Sequence, residues 1–284
     1  TAHNRGFEVS LFEKKDVIGG QLNLASQIPG KEEFVGLLEY YNNEILRLGI
    51  NLQLNYNVEI NELKDFDEII VATGVTPRTI NFEVADKSKL VSYIDILSGE
   101  HVAGTNVAII GAGGIGFDVA QFLVTDNISS TLDLPTWLKE WGVVDPELAR
   151  GGVSPLVPEL TPPDRKVSLF QRKNDKIGRR LGKTTGWIHR ESLRKKNVRM
   201  ISGVNYEKIT SEGLTLTYGE ERQGRETLSF DTIIVCAGQE PERSLFETLS
   251  NKNISAHVIG GADVAVELDA KRAIDQGTRL ALSF

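Results

Sequence analysis

Runs of consecutive apolar residues punctuate the chain at Ile69-Ile70-Val71, Val107-Ala108-Ile109-Ile110 and Ile233-Ile234-Val235-Cys236. Such runs suit parallel strands covered on both faces. Between them the pattern changes to apolar positions every three to four residues, the helical period. Residues 31–48 place Phe34, Leu37, Leu38, Tyr41, Ile45 and Leu48 on one face of a helix. Helices are also expected over 114–123, 184–196 and 268–282, and shorter strands over 7–13, 50–54, 166–171 and 198–201. Residues 204–209, 214–218 and 226–230 alternate polar and apolar, like a small antiparallel meander with a turn at Ser211-Glu212-Gly213. Strands alternating with helices predict an α/β fold with parallel sheets.

Two apolar runs are copies of one pattern. Residues 67–77 and 231–241 share Asp-x-Ile-Ile-Val-x-x-Gly-x-x-Pro. Either two buried strands look alike, or the chain holds two nucleotide-binding units on one plan. The second reading predicts two Rossmann-like domains in the glutathione-reductase-like arrangement. Residues 1–100 and 240–284 form the discontinuous FAD-binding domain. Residues 101–239 form the NADPH-binding domain inserted in it, with a proline-rich insertion at 125–165. Within the insertion a short helix is expected over 136–141, its Trp137 and Trp141 serving either packing or a partner contact.

The richest local chemistry follows the strand at 107–110. Gly111-Ala112-Gly113-Gly114-Ile115-Gly116 opens a helix, so backbone N–H groups and the helix dipole can hold a pyrophosphate. Gly111, Gly113, Gly114 and Gly116 are the expected contacts. At the end of the next strand an NAD site usually carries an acid, about 20 residues on. Here that position reads Gln171-Arg172-Lys173, far later because of the insertion, with Lys176 nearby. A neutral residue followed by cations suits a 2′-phosphate, hence NADPH; a solvated basic turn is the plainer alternative. In the first domain Glu13 ends a strand, where an acid bonds ribose hydroxyls or is merely solvated. Gly20 and Gln21 allow close approach to a flat ring. Thr73-Gly74 and Ala237-Gly238 end the two copied strands. Asp263 precedes a helix and either receives a ribityl hydroxyl or caps backbone N–H groups.

Composition narrows the class. The 284 residues are 40% apolar and 25% charged, as in globular proteins. A net charge of −7 argues against a nucleic-acid surface. No apolar stretch approaches the roughly 20 residues of a membrane span. A single cysteine, Cys236, leaves no disulfide, no Cys-only iron–sulfur site and no Cys-x-x-Cys pair in the sequence, and suits a cytoplasmic location. The chain opens on Thr1, its only methionine is Met200, and the first domain reads as lacking its first strand and glycine loop. It therefore reads as a piece of a longer polypeptide. No metal site and no catalytic acid or base stands out; His189 reads as a structural or positioning group.

Several stretches carry a resemblance. Residues 18–21, 27–34, 182–190, 238–241 and 267–274 are similar to bacterial NADPH-dependent 2,4-dienoyl-CoA reductases, flavoenzymes of the trimethylamine dehydrogenase-like group. Lys183-Thr184-Thr185-Gly186-Trp187-Ile188-His189-Arg190 is the most discriminating block. The resemblance implies an electron-input region for fatty acid β-oxidation, in which hydride passes from NADPH to FAD. Electrons then pass through a 4Fe–4S cluster to FMN and an unsaturated acyl-CoA. The barrel, FMN and cluster would belong to an absent N-terminal region, in cis or on another chain. Glu13, Gly20, Gln21 and Asp263 match FAD contacts; Gly111, Gly113, Gly114, Gly116, Arg172 and Lys176 match NADPH contacts. Two other readings stay open: a noncatalytic NADPH-binding fragment, and a disulfide reductase-like protein acting with a partner.

Overall fold

The computed structural model describes residues 1–125, 129–153, 156–266 and 269–284. The chain divides into two compact units: Thr1–Asn23, Phe34–Arg78 and Gln239–Phe284 form the first, and Leu24–Glu33 with Thr79–Gly238 the second.

The second unit is built on a parallel sheet of five strands in the order Leu90–Ser92, Thr232–Val235, Asn106–Ile110, Lys166–Gln171, Arg199–Ser202. Its central strand is sealed on both faces: Val107, Ala108 and Ile109 are 0% exposed. One face packs against the helices Tyr93–Leu97, Gly114–Leu123 and Gly186–Lys195 through Ile96, Val119, Leu123 and Leu193. The other, carrying Ala108, Ile110, Phe170 and Ile233, is covered by the meander Val204–Thr210, Gly213–Tyr218 and Gln223–Leu228. Burial at these positions follows from the unbroken apolar runs.

Residues 79–100, expected in the first unit, belong to the second. Leu90, Val91 and Ser92 pair in register with Ile233, Ile234 and Val235, and Glu83–Val84 extends the meander sheet. Residues 24–33 also join the second unit, where Leu24 and Ile28 enter its core. The insertion helix starts at Leu134, not 136, because Asp133 accepts the Thr136 N–H at 3.1 Å and Pro135 fills the first turn.

The first unit holds three strand pairs. Ser10–Phe12 lies parallel to Asn51–Gln53, and Ile70–Val71 parallel to His257–Val258. Val75–Pro77 pairs antiparallel with Gln239–Pro241, so the proline tails of the two sequence copies meet. Leu63, Ile69, Val71 and Leu249 form its core, with Phe12 packed against them. The helix Glu33–Leu48 matches its sequence pattern, whereas the strand expected over 7–13 is only Ser10–Phe12. The last helix runs Ala270–Ser283; Glu267 and Leu268, part of the resemblance and of the expected helix start, lie outside the described residues. Among the described residues no helix is long and apolar enough to cross a membrane.

Candidate functional site

The glycine turn of the second unit is shaped by contacts that exclude side chains. Gly111 has φ +109°, and a Cβ there would sit 2.4 Å from the Cys236 carbonyl oxygen. At Gly116 a Cβ would sit 1.9 Å from the Gly111 carbonyl oxygen. These two glycines let the strand, the helix and the neighbouring strand end approach closely. Gly113 and Gly114 differ: nothing lies within 4 Å of a Cβ at either, and both are exposed. Gly113 caps the helix Gly114–Leu123 in an extended conformation. The first-turn N–H groups of that helix lack intrahelical acceptors and open onto clear space, the arrangement an anionic phosphate needs.

The basic loop follows the adjacent strand of the same sheet. Gln171 closes it: its side-chain amide donates to the Lys173 carbonyl at 2.9 Å, the Asp175 carbonyl at 3.1 Å and the Asp175 carboxylate at 2.6 Å. Arg172, Lys173 and Lys176 are exposed and form no ion pair among the described residues. Sequence reading missed Asp175, an acid inside this loop. Its carboxylate is held by Gln171 and lies 3.6 Å from Arg179. Gly238 ends the copied strand with φ +110° and is exposed, and Ala237 before it is half-buried.

Three further groups lie at this end of the unit. Tyr206 stacks on Phe82 at 5.6 Å, and its buried hydroxyl has no hydrogen-bond partner among the described residues. The hydroxyl lies near the Gly111 amide, but that N–H already donates to the Phe170 carbonyl at 2.9 Å. Burial pushes its pKa upward against the pull of Arg172. Asp118, on the helix that follows the glycine turn, forms a 2.6 Å ion pair with Lys31. His189 is held below its usual pKa, first by burial and next by the Lys31 charge, with Asp118 opposing. Only the fold joins residues so distant in sequence. Cys236 is buried, and burial pushes its thiol upward, disfavouring the thiolate. A lone thiol in that state is no disulfide-exchange group.

The first-unit candidates are engaged locally. Glu13 accepts the Lys15 N–H at 2.9 Å, closing a turn after its strand. Gly20 takes φ +50° with open space around a Cβ, and Gln21 starts the helix Gln21–Ala25. The Thr73 hydroxyl donates to the Glu242 carbonyl at 2.5 Å, and Gly74, φ +79°, accepts the Glu242 N–H at 3.0 Å. Asp263 accepts from Gln276 at 2.7 Å and faces Arg243 at 3.9 Å. It does not cap the last helix; Asp269 does, accepting the Arg272 N–H at 2.6 Å.

A parallel sheet whose central strand runs through a glycine turn into a helix, covered by a meander and joined to a second small α/β unit, defines a dinucleotide-binding redox fold. The chain belongs to the pyridine nucleotide-disulphide oxidoreductase family, which it matches over residues 1–255. It is 27% identical over 265 residues to a metal reductase of Desulforamulus reducens, covering 91% of this chain and 38% of that protein. Its fold resembles 2-naphthoyl-CoA reductase in complex with 2-naphthoyl-CoA (TM-score 0.78, 22% identity, 100% of this chain and 37% of the other). It also resembles the thioredoxin reductase of T. acidophilum (TM-score 0.65, 14% identity, 99% of this chain and 91% of the other). The chain spans 33% to 38% of the length of three curated relatives it matches. The family match and these likenesses establish the pyridine nucleotide-disulphide oxidoreductase fold, with its paired dinucleotide-binding units.

Proposed function

We propose that this chain is the electron-input region of a 2,4-dienoyl-CoA reductase-like flavoenzyme, taking hydride from NADPH to FAD for delivery to an unsaturated acyl-CoA. The iron–sulfur cluster, FMN and barrel would be supplied by polypeptide beyond these residues. One observation carries the reading. The open turn at Gly113 and Gly114 and the exposed cations Arg172, Lys173 and Lys176 end adjacent strands of one sheet. The turn suits the pyrophosphate; Arg172 offers a planar fork, and the lysines add charge, for a 2′-phosphate. The likeness to a CoA-thioester reductase is compatible with an acyl-CoA as final acceptor. A single buried thiol suits the cytoplasm and leaves the disulfide-reductase reading without its dithiol.

Glu13, Gly20, Gln21, Thr73, Gly74 and Asp263 are the side of the first unit that would hold FAD, with Ala237 and Gly238 ending the corresponding strand of the second. When bound, the flavin supplies the capacity to accept hydride and pass electrons on. The protein's part is to orient the nucleotide and exclude water, so no protonating side chain is required here. The noncatalytic reading is favoured by one fact: Thr73 and Asp263 already spend hydrogen bonds within the unit.

Supplied with FAD, the purified chain should show a flavin absorbance band that NADPH bleaches under anaerobic conditions. Replacing Arg172 and Lys176 together by Glu should weaken NADPH roughly 10- to 100-fold while changing NADH little, since charge-assisted hydrogen bonds contribute about 1.5–3 kcal/mol. A colourless protein that still binds NADPH would favour the noncatalytic fragment. Equal losses for both nucleotides would overturn the phosphate assignment.

A further inference from the structure

A cavity of about 490 Å³ opens in the second unit, at the end of the parallel sheet opposite the glycine turn. Its size falls within the roughly 300–1,000 Å³ of small-molecule pockets. Two of its lining residues, Ala103 and Arg165, precede the strands Asn106–Ile110 and Lys166–Gln171, whereas the glycine turn follows the first of those strands. Leu123 and Thr125 stand at the far end of the helix that begins at that turn. A strand of 5 residues spans about 16 Å and a helix of 10 residues about 15 Å, so a small ligand here does not reach the turn.

The walls divide by chemistry. Ile96, Ala103, Phe122 and Leu123 form an apolar, largely buried side. Val102 and Leu132 also line the cavity and are apolar, yet they are 77% and 67% exposed. Apolar surface left in water gains from a ligand that covers it. Glu32 and Arg165 are the charged lining groups, and they differ in what they leave unsatisfied. Both carboxylate oxygens of Glu32 accept the Gly30 N–H at 3.0 Å and the Thr131 hydroxyl at 3.2 and 3.3 Å. These contacts fill the roughly four lone-pair sites of a carboxylate, which leaves little for a cation. Arg165 is half-buried and forms no ion pair among the described residues. Of its N–H donors only Nε is engaged among the described residues, at 3.3 Å from the Ala103 carbonyl. His101, the remaining titratable side chain of the lining, adds no negative charge. A half-buried guanidinium without a counter-charge, beside an apolar wall, is complementary to a carboxylate on an apolar body.

We propose that this cavity binds a small free monocarboxylic acid with an apolar body. The carboxylate sits on the Arg165 guanidinium, and the body lies against Ile96, Phe122 and Leu123. The site holds the acid without chemistry: no bond forms or breaks there. Its residues are distinct from those assigned to the nucleotide, so the inference is independent of the nucleotide reading.

The probe is octanoate, added to the whole 284-residue chain and followed by amide NMR shifts. Residues 96, 101–103, 122–125 and 165 should shift in a saturable manner, and saturating NADPH should change the octanoate affinity by less than about twofold. Octanol and octylamine lack the anion, and acetate lacks the body; each should bind roughly tenfold more weakly or worse. Arg165→Gln should weaken octanoate roughly 10- to 100-fold, the reach of a charge-assisted hydrogen bond. Leu132→Ser, a change at an exposed position, should weaken it severalfold while leaving the octanoate-free spectrum unchanged beyond its neighbours. Absence of saturable shifts, octanol binding as tightly as octanoate, or shifts confined to the glycine turn overturns the proposal. The comparison with octanol needs no variant, so it decides even where Arg165→Gln fails to fold. A chain that ignores NADPH altogether leaves the octanoate results as they are, so the two readings fail separately.

Discussion

Neighbouring glycines of the turn have opposite requirements. Gly116 faces the Gly111 carbonyl oxygen, and a methyl group there must displace backbone. Gly116→Ala should destabilise the second unit by about 1–3 kcal/mol, the usual range for overpacking, and lose nucleotide binding with it. Gly114 begins the helix in open space. Gly114→Ala should leave stability unchanged or raise it by up to about 1 kcal/mol, given the helix preference of alanine, yet weaken NADPH by crowding the phosphate. Urea unfolding and nucleotide titration of the two variants separate a structural glycine from a binding one. At this scale the sequence pattern announced four glycines without distinguishing their duties, because both duties use the same residue.

At the scale of elements, burial determined what could be read ahead. The strands at 107–110 and 232–235 follow from the apolar runs Val107–Ile110 and Ile233–Val235, since a central parallel strand has no polar face to disguise it; 166–171 is interrupted only by Ser168, itself buried. The outer meander strand is Gln223–Leu228 rather than 226–230; it is an exposed edge whose register shifts near Tyr218, so its sequence carries little periodicity. Leu90–Ser92 escaped notice because three residues running straight into the helix Tyr93–Leu97 leave no pattern, and only pairing with Ile233–Val235 reveals it. The site divides likewise: glycines and cations are legible as local motifs, whereas Tyr206, Lys31 and Asp118 reach it through tertiary contacts. The insertion helix offers a test of local chemistry. Asp133→Ala removes the cap on Leu134–Trp141 and should cost about 1 kcal/mol. Asp133→Asn should restore most of it, read by urea unfolding through the Trp137 and Trp141 fluorescence.

For the molecule as a whole, the two units can be followed separately. All three tryptophans, Trp137, Trp141 and Trp187, belong to the second unit. NADPH at about 100 times its dissociation constant should stabilise the transition seen by tryptophan fluorescence by about 2.7 kcal/mol. NADPH stabilisation seen only in a transition to which the tryptophans are blind would assign the nucleotide to the first unit instead. The sealed position of Cys236 has a practical corollary. A maleimide dye will ignore the native chain, so a reporter cysteine can be engineered at any surface position without background. Slow uptake of the same dye by the unaltered protein would then clock the rare breathing of its central sheet.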